Sequence, residues 1–140
     1  MDFCLGQENI RRGTGASRIV FFPGESGFQG KNCQKQAGTA FSVIFGIPKP
    51  ALSLQGTLKT FDDRGDSGNP VYRRFCPECG SPILSETVTA VASNLAIIKA
   101  GTLDDASWLK PTLEIYCDSA QPWVELGGER QRFPKMPPPR

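Results

Sequence analysis

The sequence predicts a mainly β domain, and three observations carry that expectation. The chain has 15 Gly and 12 Pro in 140 residues and is 39% hydrophobic, a turn-rich composition that suits β structure better than a helical bundle. From Thr39 the apolar residues alternate. Phe41, Val43, Phe45 and Ile47 interleave with Ser42, Ile44 and Gly46, which is the period of a strand with a buried face. Finally, Cys76-Pro77-Glu78-Cys79-Gly80 lies between two strand-like runs and so forms the tip of a hairpin. The length of 140 residues suits one domain with a real core.

The elements follow in chain order. Residues 1–30 are rich in turns, and only Ile19-Val20-Phe21-Phe22 could form a short strand there. Pro48 and Pro50 end the first clear strand, and Leu58-Lys59-Thr60-Phe61 makes another after the Gln55-Gly56 turn. Residues 62–70 form a polar loop. Residues 71–75 enter the Cys-x-x-Cys turn as a strand, and residues 82–85 leave it. The most apolar run, 95–100, is expected as a central strand, and 112–117 as the last one. Asp104 or Asp105 can cap a helical turn around Trp108. Residues 130–140, with Pro134, Pro137, Pro138 and Pro139, are expected to be a disordered tail.

Charge and composition exclude several function classes. A net charge of +2 and the absence of a basic aromatic stripe argue against a nucleic-acid partner. No stretch is long and apolar enough to span a bilayer, and residues 1–12 lack the pattern of a secretory signal. Five cysteines, two of them in metal spacing, argue against a disulfide framework and for a reduced, cytoplasmic protein.

The chain has no histidine, so a metal held at the Cys76/Cys79 knuckle must be completed by cysteine, carboxylate or water. Thiolates favour zinc at a tetrahedral site. The alternatives are a reduced pair in a turn or a redox dithiol. A thioredoxin-type motif opens a helix in a βαβ unit, whereas Pro82 and a β-like run follow here, which favours metal. Cys117, in a strand-like run, reads as a buried small hydrophobe. Cys33 lies between Lys31 and Lys35, whose charges favour a thiolate or simply belong to a solvated face. Lys31 and Lys35 with Arg73 or Arg74 could form a basic pocket. Adjacent Arg73 and Arg74 point to opposite faces of a strand, so at most one of them serves it.

From Lys31 to about Phe133 the chain resembles the glutathione-dependent formaldehyde-activating family. The resemblance rests on Asn32-Cys33-Gln34-Lys35-Gln36-Ala37-Gly38-Thr39-Ala40-Phe41-Ser42, Leu58-Lys59-Thr60-Phe61 and Arg74-Phe75-Cys76-Pro77-Glu78-Cys79-Gly80-Ser81-Pro82. It continues through Lys99-Ala100-Gly101-Thr102-Leu103-Asp104-Asp105 and Ser119-Ala120-Gln121-Pro122-Trp123-Val124. It implies an Mss4-like antiparallel β-sheet domain with a zinc knuckle over 31–129, preceded by a segment, 1–30, that departs from the family pattern. It also implies a carbon–sulfur lyase using zinc on a thiol adduct such as S-hydroxymethylglutathione. By resemblance, Cys76 and Cys79 hold a structural zinc with Cys4 as a third ligand. Cys33 is the remaining ligand of a second, open zinc and the catalytic residue.

The departures are specific. The family's central Cys-His-Cys-x-x-Cys reads Phe28-Gln29-Gly30-Lys31-Asn32-Cys33 here, so Phe28 and Gly30 occupy ligand positions that neither can serve. The N-terminal Cys-x-Cys is reduced to Cys4-Leu5-Gly6. Two functions are therefore expected to compete: the lyase, inactive if the central ligands are missing, and a non-catalytic zinc-stabilised binding module.

Overall fold

The computed structural model describes residues 31–137. Among them an α-helix, α1 (Lys31–Ala37), precedes five strands and a second short helix. These are β1 (Ile44–Pro48), β2 (Lys59–Arg64), β3 (Pro70–Phe75), β4 (Pro82–Thr87), α2 (Val88–Ala92) and β5 (Leu95–Lys99). The strands form one antiparallel sheet in the order β1-β5-β4-β3-β2. Two short strands, β6 (Leu113–Glu114) and β7 (Gln131–Arg132), pair in parallel as a separate ladder. The domain is mainly β and antiparallel, as the sequence predicts.

Pleating divides the sheet into two faces. On one face Phe45, Ile47, Ala96 and Ile98 cluster with Ala100, and Leu52, Leu103 and Leu109 pack against them. Trp108 closes this side, edge-on to Phe45 with ring centroids 5.8 Å apart. On the other face Ile44 and Ile97 cluster with Ala90, Ile115 and Tyr116. Burial of this kind stabilises by roughly 25 cal/mol per Å² of apolar area removed from water.

Several elements differ from expectation. The polar loop expected over 62–70 is shorter, because β2 continues to Arg64 and β3 begins at Pro70. Gly68, at φ +81°, supports the turn between them. The 95–100 run lies inside the sheet between β1 and β4, while β4 takes the middle position. Only Leu113–Glu114 of the last expected strand is extended, since Tyr116 turns into the left-handed region at φ +57°.

The helices α1 and α2 carry no long apolar periodicity and were not expected. Thr87 caps α2 by accepting from the Ala90 N–H at 3.1 Å, and Gly38, at φ +66°, terminates α1. Within the Pro-rich segment 130–140, residues 131–136 make defined contacts. β7 pairs with β6, Arg130 and Arg132 bind the buried Glu114 carboxylate at 2.7 and 3.1 Å, and Phe133 and Met136 pack against the core. These contacts come from residues distant in sequence.

Candidate functional site

The β3–β4 hairpin carries the Cys-x-x-Cys turn at its tip. Cys76 donates its N–H to the Ser81 carbonyl and accepts from the Gly80 N–H, both at 2.9 Å. Gly80 sits at φ +74°, a conformation that side-chain-bearing residues rarely adopt. The turn separates its two sulfurs by environment. Cys76 is buried, whereas Cys79 is exposed and its Sγ hydrogen-bonds Ser81 Oγ at 3.1 Å.

Beside this turn lies an open cleft of about 410 Å³. Asn32, Lys35 and Gln36 line it from α1, where spacings of three and four residues put them on one side of the helix. Phe61 and Asp63 from β2, with Arg73 and Phe75 from β3, form the sheet wall, and Gly80 and Pro82 close the end next to the turn. The register explains the wall: Phe61 faces Arg73, and Asp63 faces Val71, so alternate residues of both strands share this face.

Arg73 organises the cleft. It is only 2% exposed, and its Nε donates to Asp63 Oδ2 at 2.6 Å while Nη1 donates to Gln36 Oε1 at 3.2 Å. A guanidinium has five N–H donors, so these two bonds leave capacity for a ligand anion. Burial pushes the Asp63 carboxyl up. The Arg73 hydrogen bond, the Arg64 backbone N–H and the Arg73 charge outweigh that and hold it below the ordinary carboxylate range. Arg74 points to the opposite face and pairs with Glu86 at 2.7 Å. One arginine of the pair therefore serves the cleft, as strand alternation requires.

Cys33 takes a different side of α1. It is 2% exposed, and Lys35 lines the cleft while Cys33 does not. Its electrostatic neighbour is Lys99, at the end of β5, whose ammonium donates to Ser42 Oγ at 2.9 Å. Burial pulls Lys99 down to about 8; Cys33 opposes that shift and Arg73 adds to it. Sequence reasoning picked out Lys35 and Arg73 but missed Gln36, Asp63, Phe61 and Lys99. Alternation from Arg73 could have found Phe75. The rest needed the strand register and the packing of α1 on the sheet.

Zinc can be tested against the donors present. Among the described residues no group of three or more His, Cys, Asp or Glu side chains is placed to share a metal ion. Cys33 is thus not gathered with Cys76 and Cys79 into such a set. A closed structural zinc takes four ligands, so the described donors alone do not fit one. Cys4, the expected third ligand, lies outside the described residues, as do Phe28 and Gly30. Cys117 is half-buried beside Glu114 rather than inside a strand. Among the described residues no helix is long and apolar enough to cross a membrane.

A search of curated proteins gives no match. The family model described as glutathione-dependent formaldehyde-activating enzyme matches residues 29–119, which include α1, the whole five-stranded sheet and the Cys-x-x-Cys turn. The chain with this cleft belongs to the glutathione-dependent formaldehyde-activating enzyme family.

Proposed function

We propose that the chain binds a glutathione-type thiol adduct, the substrate class of a carbon–sulfur lyase, in the cleft between α1, β2 and β3. The observation that carries this is the convergence of Lys35, Arg73 and Asp63 beside the aromatic rings of Phe61 and Phe75. Glutathione carries two carboxylates, one ammonium and two peptide groups. Lys35 and Arg73 suit the carboxylates, and ionised Asp63 suits the ammonium. The amides of Asn32 and Gln36 suit the peptide groups, and the phenyl faces shield the adduct from water.

The same geometry favours holding the adduct over turning it over. Cys33, the residual thiol of the family's central motif, is buried and does not line the cleft. A zinc ion at Cys76 and Cys79 would need further donors from residues 1–30, Cys4 first among them. This reading stands close to the zinc-stabilised binding module and makes lyase activity weak.

Calorimetry with glutathione, alone and with formaldehyde, tests the binding. Saturable heat that Lys35→Glu weakens is expected, and no heat would sink the reading. Formation of S-hydroxymethylglutathione followed by NMR, with zinc content measured on the same sample, tests turnover. A rate above the uncatalysed reaction that tracks bound zinc would restore the lyase.

A further inference from the structure

We infer that the cleft selects glutathione adducts whose sulfur carries an apolar alkyl or aryl group, and that Phe61 and Phe75 receive that group. The inference rests on the glutathione reading above and names the substituent on sulfur that the cleft prefers. Its starting point is two phenyl rings that line the cleft and stand apart from the core. Among the described residues, neither ring belongs to the apolar clusters that pack the two faces of the sheet. Phe61 is 58% exposed, on a strand whose other residues are all polar or charged. A ring in that position gains from apolar burial only when a ligand covers it.

The strand register orders the wall from an uncharged end to an ionic one. Phe75 pairs with Pro82, Phe61 stands opposite Arg73, and Asp63 lies two residues beyond Phe61. Residues two apart on a strand are separated by about 7 Å, so about 14 Å of wall runs from Phe75 to Asp63. Phe75, Gly80 and Pro82 line the end beside the Cys-x-x-Cys turn. The Arg73–Asp63 ion pair holds the other end, with Gln36 bonded to Arg73. An extended tripeptide spans about 10 Å. With the charged groups of glutathione on Asp63, Arg73 and Lys35, the uncharged end is left to whatever the sulfur carries. A hydroxymethyl group, one carbon and a hydroxyl, is too small to cover two rings. A chain of several carbons or a phenyl group covers both, and each CH₂ buried there adds affinity. The cleft volume of about 410 Å³, with aromatic rings beside a few polar groups, matches a small-molecule site.

Calorimetry on the full chain with glutathione, S-methylglutathione and S-hexylglutathione tests the preference. S-hexylglutathione should bind about tenfold or more tightly than S-methylglutathione, with a more negative heat-capacity change. Phe61→Ala, at an exposed position, should remove most of that difference while weakening S-methylglutathione no more than several-fold. Lys35→Glu should weaken all three ligands by a similar factor and leave the hexyl-to-methyl ratio unchanged. Equal affinities for the hexyl and methyl adducts, both lowered by Lys35→Glu, would overturn the aromatic subsite and leave the glutathione reading standing. A hexyl preference that survives Phe61→Ala would place the substituent elsewhere and also overturn the inference. S-hexylcysteine, which lacks the glutamyl and glycyl residues, tests the reading beneath. If it binds as tightly as S-hexylglutathione, or if no ligand gives heat, the glutathione reading falls and the inference falls with it.

Discussion

The two edge strands of the sheet are held by different physics. Four of the five residues of β1 are buried, and apolar clusters pack against both of its faces. In β2, every residue but Asp63 is exposed. Its visible anchors are the ladder to β3 and the Arg73–Asp63 ion pair. Lys59, Asp62 and Arg64 also keep charge along that edge, which discourages pairing with another chain. The cleft opens at this second edge. Where apolar burial is withdrawn, polar groups remain available to a ligand, so the least core-like part of the sheet is the part we propose for binding.

The sharpest way to break the contrast is to empty the apolar side. Ile98→Ala removes a side chain 2% exposed and should lower unfolding stability by about 2–5 kcal/mol in a urea titration. At the other edge, Arg73→Ala should cost about 3 kcal/mol, because it leaves the Asp63 carboxylate without its guanidinium. The two losses should also differ with acid. Asp63 has a lowered folded pKa, so its contribution is present above the ordinary carboxylate value of 3.8 and disappears as pH falls through the folded one. The Ile98→Ala loss should not change over that range.

Lys99 tests the boundary between the two halves. Its ammonium loses its proton at about 8 when folded and at 10.5 in the unfolded chain. Between those values the unfolded state binds more protons, so stability should rise with pH, by on the order of 3 kcal/mol in all. Lys99→Met should flatten that rise in urea titrations from pH 7.5 to 10.5. An unchanged slope would mean that the amine is hydrated. The smallest effects belong to the cleft rim. Phe61→Ala removes a ring 58% exposed and should shift stability by less than about 0.5 kcal/mol while weakening glutathione binding several-fold.

Much of the sheet was legible because alternation is local. The strand through Phe45 and Ile47, the strands flanking the Cys-x-x-Cys turn and the apolar run 95–100 all appear close to their expected places. The opposite facing of Arg73 and Arg74 came from the same rule. The helices were not legible. α1 spans seven residues and α2 five, too short for a 3.6-residue period to register, and short helices depend on packing more than on propensity. Tail residues Phe133 and Met136 resemble a proline-rich disordered segment until Ile115 and Tyr116 are seen beside them.

The candidate site divides in the same way. The sequence by itself determined the β class, the family and the Cys76–Cys79 turn, since these depend on composition, spacing and a glycine that accepts positive φ. Only the tertiary structure decided that Lys35, Arg73 and Asp63 meet in one cleft, because Phe61 faces Arg73 through a register set by strand pairing. It also decided that Cys33 is buried and stays out of that cleft's lining. Residues 33 and 35 are two apart in sequence, and that half turn of helix sends them to different surroundings.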